Sequence, residues 1–240
     1  MKINGWDVSC AGAKQCNVTF GNHGISSASE WIRASPVPVF FRNDIGFKSL
    51  KIVLLIKKKG GRETLLRARS EILSRLLEPV EIVLDNYANC FYGILEKHSA
   101  QENVMRRWHT LTLELNCYEC GRQVTESFTE TDQVTVTNMG NLVTPAVIEV
   151  TPLSGTATLS VTGICRDADT GENLPVVLKN LKTGKTVTID GETGLITEDG
   201  ALKAGDTEIW ALPTLLPGDN RIILDNKWME LTVKFRPRFM

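Results

Sequence analysis

The residues best placed for chemistry are Cys117 and Cys120, because a C-x-x-C spacing can bring two thiolates into one coordination sphere. A closed zinc site needs four ligands. The second pair would have to be Cys10 and Cys16, arriving from a remote strand. A thioredoxin-type motif opens a helix, and no helix pattern follows Cys120. The expectation is two strand-end thiols and no metal. Asp167, Asp169 and Glu172 surround Gly171 much as a calcium loop begins, but the spacing then departs and no bidentate acid follows. An Asp-rich turn is expected there. Gly184-Lys185-Thr186 has the tail of a phosphate-binding loop. That loop needs a glycine at position 179, which is Lys, and it must open a helix where this triplet opens a strand. The histidines at 23, 98 and 109 share no motif spacing, no G-x-S-x-G elbow exists, and nothing selects a pair of carboxylates for glycoside chemistry. No catalytic residue, metal or cofactor is expected, and the chain is read as a non-enzyme. Lys57-Lys58-Lys59-Gly60-Gly61-Arg62 is the one basic run. It suits a solvated turn, or else a surface for an anionic partner.

The elements around these residues are nearly all strands. Glu63 to Glu78 is the exception: Leu65, Leu66, Ala68, Ile72, Leu73, Leu76 and Leu77 share one helical face, and Arg67, Glu71 and Arg75 run down the other. Pro79 stops the helix. Arg69 falls inside the apolar arc, where a charge must reach water, an ion-pair partner or a neighbouring subunit. A lone helix among strands must lay its stripe on a sheet. Lys48–Lys57 is the strongest strand, with Leu50, Ile52, Leu54 and Ile56 on one side and Val53 and Leu55 on the other, a pattern that suggests a strand covered on both faces. Val80–Asp85 and Asn89–Lys97 suit a hairpin, and Arg107–Tyr118 alternates with Leu111, Leu113, Leu115 and Cys117 inward. The first 41 residues suggest short strands and loops, with a flexible loop around Gly21, Gly24 and the serines that follow.

Two domains follow from this patterning. The first, 1–133, is an α+β unit in which a β-sandwich carries the helix and hairpin. Residues 134–144 form a polar connector, with one candidate strand at Gln133–Asn138, and 145–240 an all-β sandwich of short strands separated by turns. Thr-Gly recurs at 170–171, 183–184 and 193–194 between strand candidates, where glycine would supply φ > 0. A net charge of −1 argues against a general nucleic-acid binder. No apolar run reaches the length of a membrane helix. The polar start MKINGWDVSC does not resemble an export signal, and the six cysteines are expected to be made as thiols in a reducing compartment.

The last segment carries a resemblance. Leu212-Pro213-x-Leu215-Leu216-Pro217-Gly218-Asp219-Asn220-Arg221-Ile222, with Phe235-Arg236-Pro237-Arg238-Phe239 closing the chain, resembles the C-terminal signature of siphophage distal tail (Dit) proteins. The long strand, helix, hairpin and Cys117-Tyr118-Glu119-Cys120 cluster resemble the same family in layout. The resemblance implies a virion structural protein that assembles in the host cytoplasm as a ring, usually a hexamer. It implies a place at the far end of a non-contractile tail, between the tail tube and a tail-tip protein, with a lumen for DNA. The first domain would form the ring. The second would be a galectin-like sandwich and a platform for adhesin or receptor-binding proteins. At about 100 residues that sandwich has no room for the inserted carbohydrate-binding modules of some relatives. The alternative reading is a carbohydrate- or receptor-binding component, with Trp210 and Trp228 stacking on sugars.

Overall fold

The computed structural model describes residues 1–33, 35–103, 107–167 and 170–240. Asp169 of the acidic turn lies outside them. The chain divides into two compact units after Cys120.

The first unit contains β1 (Lys2–Ile3), β2 (Trp6–Asp7), a 3₁₀ turn at Val8–Ala11, β3 (Ala13–Glu30), β4 (Val39–Ile56), α1 (Arg62–Ser74), β5 (Val80–Val83), β6 (Cys90–Asn103) and β7 (Trp108–Cys120). Its strands pair antiparallel in the order β2-β1-β5-β6-β7-β4-β3. Alternation sets the core. Leu50, Ile52 and Leu54 lie opposite Leu115, Leu113 and Leu111, all essentially sealed from solvent. Leu65, Ala68 and Ile72 of α1 join the same cluster as Met1, Ile3, Val80, Ile82 and Phe91. The opposite face of β4 is only half-covered at Val53 and Leu55, so among the described residues of the first unit no second apolar layer lies on it.

α1 is shorter than the pattern suggests. It ends at Ser74, and Arg75 and Leu76 donate to Ile72 and Leu73 carbonyls in a tightened last turn. The chain thus leaves the helix before Pro79, which disfavours a helical residue ahead of it. Leu76 stays buried but Leu77 faces solvent. Arg67 pairs with Glu63 at 2.6 Å, and the Arg75 guanidinium lies 4.2 Å over the Trp6 ring. Residues 13–56 differ more. The expected loop around Gly21 is the interior of an 18-residue strand, β3, paired with the equally long β4. Four register shifts between Gln15 and Ser29 scramble the alternation that would mark a strand. Gly21 serves close approach, since a Cβ there would sit 2.0 Å from Ser49 Oγ.

The second unit, Gly121–Phe239, holds β8 (Val124–Thr129), β9 (Gln133–Asn138), β10 (Thr144–Pro152), β11 (Thr158–Arg166), β12 (Asn173–Lys179), β13 (Val187–Asp190), β14 (Ile196–Glu198), β15 (Ala201–Leu202), β16 (Thr207–Glu208), β17 (Thr214–Leu215), β18 (Gly218–Leu224) and β19 (Met229–Phe235). Its two antiparallel sheets are β15-β14-β13-β10-β19-β8 and β16-β12-β11-β18-β9, with β17 on β10. Ile148, Val150, Ile189 and Val233 from one sheet and Val136, Val161, Val176 and Ile222 from the other fill one core. Residues 124–138, given by sequence to the end of the first domain and a connector with a candidate strand at Gln133–Asn138, hold two edge strands here, and β9 is that candidate. β8 pairs with β19 and β9 with β18. Their outward residues, such as Gln133, Thr135 and Thr137, are exposed, and so give an edge strand the composition of a linker. Gly171, Gly184 and Gly194 of the Thr-Gly turns have φ of +71°, +74° and +73°. The family-like terminal motif has a physical centre in Asn220, which is buried. Its side chain accepts from Leu216 N at 2.8 Å and donates to the Leu216 and Gly218 carbonyls at 2.8 and 2.9 Å.

Candidate assembly interface

The first unit's sheet offers backbone edges on two different strands. β3 is the last strand on one side of the order. On the other side β5 covers β6 only at Cys90–Gly93, and beyond Gly93 β7 is the only strand neighbour of β6 among the described residues. The register places the two edges level. One row runs Lys97, Glu114, Lys51, Thr19, a second Ser99, Thr112, Val53, Asn17, and a third Gln101, Thr110, Leu55, Lys14. Residues 97–101 of β6 therefore stand at the height of residues 14–19 of β3. Because every step from β6 to β3 is antiparallel, β6 and β3 run in opposite directions. A β6 edge brought against the β3 edge of a second copy meets it antiparallel, the pairing these strands already use.

The face carrying these rows points away from the core and is mostly polar. Lys51 Nζ lies 2.9 Å from Glu114 Oε1, and this hydrogen bond holds the Glu114 carboxyl below its usual range. Past the row Lys48–Cys117, residues Val39–Phe47 of β4 pair with β3 alone, so the two strands continue as a two-stranded arm. The arm concentrates exposed apolar side chains. Trp31 is 65% exposed, Phe40 72% and Phe41 62%, with Ile25, Ile32, Val37 and Phe47 exposed as well. An isolated ribbon of two strands is marginal in water, and a patch of this size marks a surface that something covers.

At the root of the arm a buried polar cluster fixes the strand ends. Glu119, 5% exposed, accepts from Lys48 Nζ (2.7 Å), Asn89 Nδ2 (2.7 Å) and Tyr87 Oη (2.8 Å). Burial alone would raise this carboxyl, but the three donors outweigh it and hold it below the ordinary range. Burial, with the bond to Glu119, raises the Tyr87 hydroxyl. Tyr87 also stacks at about 5.5 Å on Phe91 and at 5.3 Å on Phe20.

Arg69 finds a partner within its own chain. Its Nη1 lies 3.7 Å from Glu102 Oε1, and Arg62 Nε donates to the other oxygen at 2.8 Å. The Arg62 hydrogen bond is the main reason the Glu102 carboxyl is lowered. Glu102 stands on the open stretch of β6, so Arg69 is tied to that edge through it. Beside this cluster, a cavity of about 380 Å³ is lined by Gly60, Gly61, Arg62, Leu65, Asn103, Arg107 and the buried His109.

Cys117 and Cys120 do not come together, and the reason is parity. Three residues apart on a strand, they leave opposite faces. Cys117 is buried, donates to the Lys48 carbonyl at 3.4 Å, and burial pushes its thiol up to about 12. Cys120 instead lies directly across from Cys90, sulfur to sulfur 3.1 Å. Only the pairing of β6 with β7 brings these two cysteines together, so no sequence spacing could have found them. Among the described residues no group of three or more His, Cys, Asp or Glu side chains could hold a metal ion. Trp210 follows β16 and is 82% exposed. Trp228 sits in the turn before β19, half-exposed, with the Lys227 ammonium 5.2 Å over its ring.

No protein-family model matches the chain, and no curated protein matches it in sequence. Its fold does have counterparts. The crystal structure of the SPP1 Dit protein, described as a hub of the adsorption apparatus in phages that infect Gram-positive bacteria, superposes with a TM-score of 0.74 over 99% of this chain and 98% of that one. The fold is that of a phage Dit protein. At 15% identity the likeness to SPP1 Dit is one of fold. The phage p2 baseplate in its activated conformation with Sr gives a TM-score of 0.55 at 9% identity, and with Ca 0.52 at 11%. Each of these covers 95% of this chain and 92% of the other. The Dit-like fold spans both units, including the terminal strands on which the sequence resemblance rested.

Proposed function

We propose that the chain is a distal tail hub of a long-tailed phage, a structural protein whose first unit closes into a ring between the tail tube and the tail-tip or baseplate proteins. The observation that carries this reading is the level, oppositely directed pair of edges on β3 and β6. A ring made by rotation needs two different complementary patches on each subunit. Edge-to-edge pairing of β6 with the next β3 supplies them and covers the open stretch of β6. The polar rows then face one continuous surface. Within it Lys51 pairs with Glu114, which suits a lumen that lets DNA pass without holding it. Six copies, the virion tail as location, and the tube and tip proteins as partners follow from the family resemblance. The exposed apolar arm is the surface offered to the neighbouring copy or to those partners, and Arg69 supports the β6 edge through Glu102.

Light scattering on the full chain tests this directly. The expected mass is about six times the 26.6 kDa of one chain, and a monomer at high concentration would sink the proposal. A second reading rests on Trp210, whose ring stands almost fully in solvent. On that reading the second unit also binds a receptor glycan or an adhesin, with Trp228 as a further contact. A glycan array on residues 121–240 distinguishes the two, since a pure platform binds no sugar.

A further inference from the structure

We infer that Cys90 and Cys120 form an intrachain disulfide when the protein meets an oxidising medium, stapling the start of β6 to the end of β7. The two residues are direct cross-strand partners, and they belong to one covalently short, well-paired ladder. Directly opposed residues in antiparallel strands have Cα atoms about 4.5–5.5 Å apart, inside the roughly 4.4–6.8 Å window that a disulfide spans. The sulfurs already touch at 3.1 Å, so the bond needs a side-chain adjustment and no backbone movement. Tyr92–Tyr118, the next pair along on that side, meets in a tilted ring contact at 5.5 Å and holds the two strands in register.

The chemistry selects this pair among the six cysteines. Cys117 sits across the ladder from Lys48 and Gly93, and Cys165 from Leu174, so neither faces a second cysteine, and burial pushes both thiols up to about 12. Cys10 and Cys16 are exposed. Cys90 is half-buried and Cys120 buried, so the accessible member starts the reaction and the shielded one completes it. With oxidised glutathione as the oxidant, the Cys90 thiolate attacks one glutathione sulfur and expels the other as glutathione thiolate. The Cys120 thiolate then attacks the Cys90 sulfur of the mixed disulfide and expels the second glutathione. Two protons leave the protein, two electrons pass to glutathione, and one S–S bond replaces two S–H bonds. The inference stands apart from the tail-hub reading, because it needs only the β6–β7 ladder.

The test uses the full chain purified under reduction and equilibrated against glutathione buffers from fully reduced to fully oxidised. Exchange is quenched with acid, and the protein is then unfolded in urea at about pH 8 with excess iodoacetamide, which alkylates the thiolates. Intact mass should show six alkyl groups in the reduced sample and four in the oxidised one, from six cysteines. Trypsin should leave peptide 76–97 joined to peptide 108–122. Cleavage after Glu119 then assigns the link to Cys120 rather than Cys117. The oxidised protein should melt about 10 °C higher than the reduced one, since the closed loop of roughly 30 residues lies in the range that stabilises most small domains. That shift should vanish in Cys90→Ser, a substitution at a half-buried position, while the reduced melting point is kept. A link to Cys117, links only between chains through Cys10 or Cys16, or six alkyl groups in oxidised glutathione would each overturn the inference.

Discussion

The two units are made of the same material, antiparallel strands with alternating apolar side chains, and they finish their sheets differently. The second unit ends its sheets in pieces too small or too polar to recruit another chain. β15 and β16 are two residues each, and the exposed side of β9 is Gln and Thr. The first unit leaves long stretches of β3 and β6 at its sheet margins and extends the β3–β4 arm with Trp31, Phe40 and Phe41 in solvent. Protected edges are how a β-protein stays alone, and open ones are how it finds a copy of itself. The proposal therefore rests assembly on residues 1–120 and expects the second unit to stay monomeric.

The largest effect should come from the arm. Phe40→Ser with Phe41→Ser removes no packing within the chain, because both rings are exposed. It should leave melting unchanged and reduce the assembled mass by several-fold in light scattering. A fragment of residues 121–240 should be monomeric in the same measurement. Assembly by that fragment would reverse the comparison.

Glycines test whether the units hold together independently. A Cβ at Gly93 would lie 2.2 Å from the Asn116 carbonyl oxygen in the first unit, and one at Gly163, where φ is +99°, 2.0 Å from the Arg221 carbonyl oxygen in the second. Each Gly→Ala change should cost about 4 kcal/mol, because backbone must move. Scanning calorimetry should show Gly93→Ala lowering one transition and Gly163→Ala the other. A single transition shifted equally by both would show one cooperative body.

Next in size is the polar cluster at the arm's root. Lys48→Met leaves Glu119 buried with two neutral donors, and should cost about 3 kcal/mol. The folded Glu119 carboxyl is below its ordinary value of 4.5, so its stabilisation is complete above that value and is lost as pH falls through the lower folded value. Urea midpoints of the wild type should fall below pH 4.5 more steeply than those of Glu119→Gln, and parallel curves would remove Glu119 from this role. The smallest effect belongs to Arg69. It is part-exposed and 3.7 Å from Glu102, so Arg69→Ala should cost about 0.5 kcal/mol in stability. It should weaken ring assembly more than Arg67→Ala, whose partner Glu63 lies on the outer face. Equal behaviour of the two in light scattering would detach Arg69 from the edge.

Local periodicity encodes the short-range parts of the fold. Leu50, Ile52, Leu54 and Ile56, the alternation of Leu111 to Cys117, the helix under Leu65 and Ile72, and the positive φ at the Thr-Gly turns are all short-range patterns, and each is found where the pattern puts it. The rest depends on which strands pair across the fold. β3 was illegible because its bulges break the period-two signal, and β8 because an edge strand needs only one apolar side chain in two, whereas β9 coincides with the candidate strand at Gln133–Asn138. Cys117 and Cys120 were the pair suggested by spacing, but a strand turns them to opposite faces. Cys120 meets Cys90 instead, 30 residues away, through a ladder no linear pattern records. The two sheet edges that carry the assembly proposal are also absent from any local stretch. They follow from which strands find partners within the chain, and that is settled only when all of them have paired.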